Sequence, residues 1–148
     1  MSATAEAKAR TRAFARVIGP FLLIVPTVIV ARAPDMGGMV SAFFANDALI
    51  WVSGALMLFA GLLIIARHQY WSSVPAVMVS LFGWFLGLRG LALLMAPHVY
   101  EQFVAAFVGS QPLLWLTFGA LVLVGLRLTY EGWIARLASA PEAVGYSA

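Results

Sequence analysis

The 148-residue chain carries one unit of about 64 residues written twice, and a duplicated pair of apolar runs leaves few folds open. Gly19-Pro20-Phe21-Leu22 is answered by Gly83-Trp84-Phe85-Leu86, and Trp51 and Gly61 by Trp115 and Gly125, at a spacing of 64. Ala33-Pro34-Asp35 and Phe44 answer Ala96-Pro97-His98 and Phe107 at a spacing of 63, so one residue has been gained or lost inside the unit. Each copy holds two long apolar runs joined by a short loop, the pattern of a membrane hairpin.

Four runs are candidate spans, at residues 17–31, 48–66, 74–96 and 113–129. Crossing a bilayer core takes roughly 20 apolar residues, because each rises about 1.5 Å through about 30 Å of hydrocarbon. The first run reaches that length through Ala13, Phe14 and Ala15, with the Arg16 stem reaching toward headgroups. Composition agrees: 63% of residues are hydrophobic and 10% charged, with a mean hydropathy of +0.95, whereas soluble domains hold about a quarter charged residues. The expected fold is an all-α integral membrane four-helix bundle of two tandem parallel transmembrane hairpin repeats. It forms a single membrane domain over 1–148, with repeats at about 14–71 and 74–133 and polar tails at 1–13 and 134–148.

Four of the nine basic residues, Lys8, Arg10, Arg12 and Arg16, precede the first span. Arg67, Arg127 and Arg136 fall on the same side and only Arg32 on the other, so the positive-inside rule places both termini in the cytoplasm. Two spans per copy then give both copies the same orientation, as parallel repeats. The basic start and Ala31-Arg32-Ala33 imitate a secretory signal, but Pro34 after the cut favours an uncleaved signal anchor. Basic residues placed this way set orientation and do not form a nucleic-acid face.

The helix ends are punctuated. Asn46 or Asp47 is positioned to cap the second span, Ser72 or Ser73 the third with Pro75 in its first turn, and Ser110 the fourth with Pro112 just inside. Each outer loop opens with Ala-Pro and continues as a short amphipathic stretch: Val40, Phe43 and Phe44 after a flexible Gly37-Gly38, and Val99, Phe103 and Phe107 on one helical face. Two interfacial helices are the expectation, against irregular loops with aromatic anchors. On the third span Ala76, Ser80, Gly83, Gly87 and Gly90 share about a quarter of the circumference, a close-packing face for the first or second span, or for a partner.

Chemistry-bearing residues are scarce. With no cysteine, thiol redox chemistry and thiolate metal sites are excluded. No carboxylate or histidine lies well inside a span, and no Ser-His-Asp set assembles without crossing the bilayer, so no catalytic residue is assigned and no cofactor or metal is expected. His68 and His98 fall on opposite sides, beside Tyr70, Trp71 and Tyr100, and read as headgroup anchors.

Arg89 is the one charge well inside a span, roughly 12 Å below the outer end of its helix. It lies about 140° from the small-residue face, on the side of Met78, Phe82 and Phe85, and Phe85 is one turn away for a cation-to-ring contact. Asp47 and Glu101 are the candidate counter-charges. Three roles stay open for Arg89: a structural ion pair reaching the headgroups, a contact to another subunit, or a site for an anionic ligand. Its equivalents in the first copy, Val25 and Pro26, carry no charge, and Pro26 is expected to kink the first span.

The string His68-Gln69-Tyr70-Trp71, followed by Gly83-Trp84, Arg89-Gly90 and Pro97, resembles a family of uncharacterised small four-helix inner-membrane proteins of bacteria, over roughly residues 14–133. The resemblance implies that architecture and a multi-pass location in the inner membrane, and it transfers no activity. The four-span eicosanoid and glutathione enzymes have an Arg, Asn and Glu cluster in the second span that residues 48–66 lack. The functional expectation is a non-enzymatic accessory or scaffold subunit, meeting other membrane subunits or itself through helix packing. The alternative is a small carrier or binding protein for a hydrophobic or lipid-like ligand, its anionic end near Arg89 with Phe85, Phe82, Asp47 and Glu101.

Overall fold

Asn46, Ser73 and Pro97 each break the chain between helices and so define the layout. The computed structural model describes residues 3–68, 70, 71 and 73–134. Gln69, Ser72, Arg136 and the C-terminal tail beyond residue 134 lie outside the described residues. Among the described residues the fold is all helical: α1 (Ala3–Ala31), a 3₁₀ turn (Ala33–Asp35), α2 (Met36–Phe44), α3 (Asp47–Arg67), α4 (Val74–Met95), α5 (Pro97–Gly109) and α6 (Gln111–Thr129) running into a π-helical turn (Tyr130–Ile134). Four segments are long and apolar enough to cross a membrane: Lys8–Ala31, Asp47–Arg67, Val74–Met95 and Gln111–Ile134.

Caps set the helix starts. Asn46 is extended and its Oδ1 accepts the Leu49 amide at 3.2 Å, while Ser73 Oγ accepts from Ala76 at 3.4 Å, with Pro75 in the first turn. Asn46→Ala should therefore cost about 1 kcal/mol, read as a lower unfolding midpoint in detergent. Ser110 holds the N-cap position of α6 without a side-chain bond; its carbonyl accepts the Leu114 amide at 3.0 Å instead.

Glycine decides which helices meet. A Cβ at Gly61 on α3 would run into the backbone of Gly87 and lie 2.9 Å from the Gly83 carbonyl oxygen; one at Gly90 would meet the backbone of Leu58 and Gly54. On the other side of the molecule, a Cβ at Gly125 on α6 would lie 2.6 Å from the Leu23 nitrogen and 3.0 Å from the Gly19 oxygen of α1. The small-residue face of α4, with Ala76, Ser80, Gly83, Gly87 and Gly90 all buried, thus lies on the second span. The α3–α4 and α1–α6 pairs are the extensive contacts, α1 and α4 join them, and α3 has at most marginal contact with α1 or α6. The helices succeed one another in space as α3, α4, α1, α6. Ala15, Ile18 and Leu22 of α1, Ile64, Val79 and Leu128 form the shared core, with Phe21 edge-on to Phe82 at 6.1 Å.

Two prolines sit inside α1, at positions 20 and 26. Pro20 has no N–H to give the Arg16 carbonyl, which leaves that oxygen without its helical donor. The Trp133 indole Nε1 supplies one at 3.3 Å, and Arg16 Nε in turn donates to the Gly132 carbonyl at 2.9 Å, its guanidinium 5.8 Å from the Trp133 ring. Arg16 is therefore tied to the π-helical turn, where its stem was expected to reach the headgroups. Gly132 lets that turn approach α1 closely, the Arg16 nitrogen lying 2.9 Å from where its Cβ would be.

Both stretches expected as interfacial helices, between the first and second spans and between the third and fourth, are helical and pack on each other. Gly37 and Gly38, expected as a flexible lead-in, are inside α2. In α5, Val99 and Phe103 are about two-thirds exposed while Tyr100, Val104 and Phe107 turn inward. The expected face is thus split: α2 and the ends of the spans select the Tyr100 side.

Candidate functional site

Arg89 sits on α4 beneath the two short helices. The 22-residue α4 ends where Ala96 leaves helical geometry (φ −143°, ψ 60°), and Pro97, which cannot continue a helix but starts one well, sends α5 back across the helix end. That reversal brings Tyr100 over the guanidinium, 5.8 Å from ring centroid to Arg89 Cζ. Burial raises the Tyr100 pKa above its ordinary value, opposed by the charge of Arg89 and a hydrogen bond with it. Phe85, the expected ring partner, is more than half exposed, and Phe82 packs on Phe21.

The expected counter-charges are not there. Among the described residues Arg89 has no ion pair: Glu101 approaches His98 Nδ1 at 4.0 Å, and Asp47 begins α3 as an exposed residue. Arg89 Nε is fully buried and has no hydrogen-bond partner among the described residues. Burying a charge-bearing donor without an acceptor is costly, so this atom marks unfinished electrostatics. The Arg89 side chain lines a partly open cleft of about 180 Å³, with walls from α2 (Met39, Val40, Phe43, Phe44), α3 (Met57), α4 (Leu93) and α5 (Tyr100, Val104). Sequence reasoning singled out the cation and missed Tyr100, because the ten residues between them include the helix reversal.

The second polar centre lies at the opposite end of the spans. His68, expected as an exposed headgroup anchor, is completely buried at the C-cap of α3. Its Nε2 is 2.9 Å from Thr11 Oγ1 of α1 and its Nδ1 3.2 Å from Ser80 Oγ of α4. Ser80 Oγ also reaches the Tyr70 and His68 carbonyl oxygens at 3.2 and 3.4 Å. One proton arrangement serves every partner: Ser80 donates to the carbonyls, Nδ1–H donates to Ser80, and Nε2 accepts from Thr11. Phe14 and Tyr70 present ring edges at 5.6 and 5.2 Å. Desolvation lowers the His68 pKa, so the neutral imidazole is favoured. The network ties α1 to the α3–α4 connection. Ser80 on the glycine face was the available signal, since a buried hydroxyl there needs a partner.

Among the described residues no three His, Cys, Asp or Glu side chains gather as a metal would require. No family model, no curated protein and no solved structure matches this chain.

Proposed function

We propose that the chain is a non-enzymatic, multi-pass membrane scaffold that associates with further transmembrane helices, of other subunits or of a second copy. The open succession α3, α4, α1, α6 carries this reading. Each terminal helix of that row is joined to one neighbour through glycines and, among the described residues, has no comparable second neighbour. On α3 the bare side is a stripe of Val52, Leu56, Phe59 and Leu63, and on α6 it includes Leu116 and Leu123. A closed bundle would bury more of such faces. Lipid tails cover apolar surface without specificity, so association in a bilayer relies on shape and close packing, and two rigid, glycine-packed pairs supply shape.

The sequence repeat supports the same reading, although the two spans of one copy barely touch and each packed pair takes one helix from each copy. The contact of Gly61 with the Gly83 oxygen and Gly87 has its counterpart in that of Gly125 with the Gly19 oxygen and Leu23, every residue displaced by 64. Two like modules joined about an axis along the membrane normal make a scaffold with two similar edges. The inner membrane, with both termini in the cytoplasm, is the proposed setting. Extraction from native membranes in mild detergent should give a fixed-stoichiometry complex by native mass spectrometry; an isolated, monodisperse monomer would overturn the proposal.

A further inference from the structure

The cleft beneath α2 and α5 joins a half-buried cation to apolar walls. A guanidinium offers five N–H donors in a planar fork and cannot be deprotonated in a protein. The Tyr100 hydroxyl is a single partner and its ring a weak one, and among the described residues Arg89 Nε has no hydrogen-bond partner. The missing complement is an anion with at least two acceptor oxygens, since charge-assisted, two-point bonds are what the fork geometry favours.

The walls narrow the choice further. Phe43, Phe44, Met57, Leu93 and Val104 surround the cation with hydrocarbon, thioether and ring surface, which a small inorganic anion would leave unused. About 180 Å³ is less than the roughly 300–1,000 Å³ of sites that enclose a whole small molecule. One end of a longer molecule fits, with the rest outside the cleft among lipid tails. Methionine at positions 39 and 57 suits such an occupant, because an unbranched thioether adapts to irregular chains. All of these walls come from four helices of one chain, so the site is complete without a second subunit.

We infer that the Arg89 cleft, walled by Tyr100 and the two short helices, binds the anionic end of an acyl-chain amphiphile, a carboxylate or a phosphodiester.

The test uses the full-length protein in phosphatidylcholine nanodiscs. Oleate and oleyl alcohol share a chain and differ in charge, and lysophosphatidylglycerol offers a phosphodiester in place of the carboxylate. Oleate or lysophosphatidylglycerol should bind about tenfold or more tightly than oleyl alcohol, a ratio that charge-assisted bonds to one guanidinium supply. The tighter of the two names the headgroup. Arg89→Met should erase the preference and Arg89→Lys retain part of it. Val104→Phe, which fills the cleft from α5 and leaves the cation in place, should weaken both anionic probes and so covers the case in which Arg89→Met fails to fold. Equal affinity for oleate and oleyl alcohol would sink the inference, as would inorganic phosphate binding as well as the amphiphiles. A change of oligomeric mass in Arg89→Met with oleate binding unaltered would assign the cation to a subunit contact and overturn it equally.

Discussion

Gly61→Ala is expected to destabilise the protein by about 3 kcal/mol or more, a penalty at the upper end for core overpacking because no side chain can yield. The added methyl would meet the Gly87 backbone and lie 2.9 Å from the Gly83 oxygen. Relief requires α3 and α4 to move apart along the whole interface that Gly54, Gly61, Gly83 and Gly90 bring together. Gly125→Ala should act similarly on α1 and α6, where its methyl would lie 2.6 Å from the Leu23 nitrogen. Gly119 is the internal control: it is on α6, yet nothing lies within 4 Å of its Cβ position. Gly119→Ala should be neutral or stabilise by up to about 1 kcal/mol, from helix propensity alone. Thermal unfolding in dodecyl maltoside, followed by circular dichroism, ranks the three variants; equal midpoints for Gly61→Ala and Gly119→Ala would refute the backbone-contact account.

His68→Ala is expected to cost about 2–4 kcal/mol, combining an emptied ring volume with loss of partners for buried Ser80 and Thr11 contacts. The imidazole also makes stability depend on pH. Its folded pKa is depressed below about 6.5, so on acidification the unfolded chain takes up a proton before the folded one does. The stability from a neutral, buried His68 is therefore fully present above about pH 6.5. It declines as pH falls from there toward the lower folded pKa, by at most about 1.4 kcal/mol per pH unit. Unfolding midpoints of the wild type should fall between pH 7 and 5 by more than those of His68→Ala. Parallel pH profiles would show that His68 is solvated in the folded state.

These two effects divide along what a linear reading can see. The glycine face of α4 is legible because 3.6-residue periodicity puts positions 76, 80, 83, 87 and 90 on one side whatever they touch. The caps at Asn46 and Ser73 are legible because their partners are three residues away. Gly37-Gly38 misleads, since glycine permits flexibility and does not require it, and α2 forms through both. For Val99 and Phe103, spacing identifies a helical face without saying whether protein or lipid lies against it.

Arg89 and His68 fail to be read for a shared reason. Their partners arrive from elsewhere in the chain: Tyr100 by the reversal at Ala96 and Pro97, Thr11 from 57 residues away. Charge complementarity pointed to Asp47 and Glu101, but a favourable sign is no guide to direction, and Glu101 turns toward His98.

By itself the sequence determined four long apolar helices, the breaks between them, the glycine face of α4 and Arg89 as a cation inside a span, but it started the first span at residue 17 where α1 is helical from Ala3. These are properties of hydropathy, period and local capping, all settled within one or two turns of chain. The tertiary structure alone decided that α3 lies on α4 and α1 on α6, that His68 is interior, and that Arg89 faces a cleft with Nε unbonded. Those outcomes depend on how closely two backbones approach, and that distance is set by pairs of residues that the chain does not place side by side.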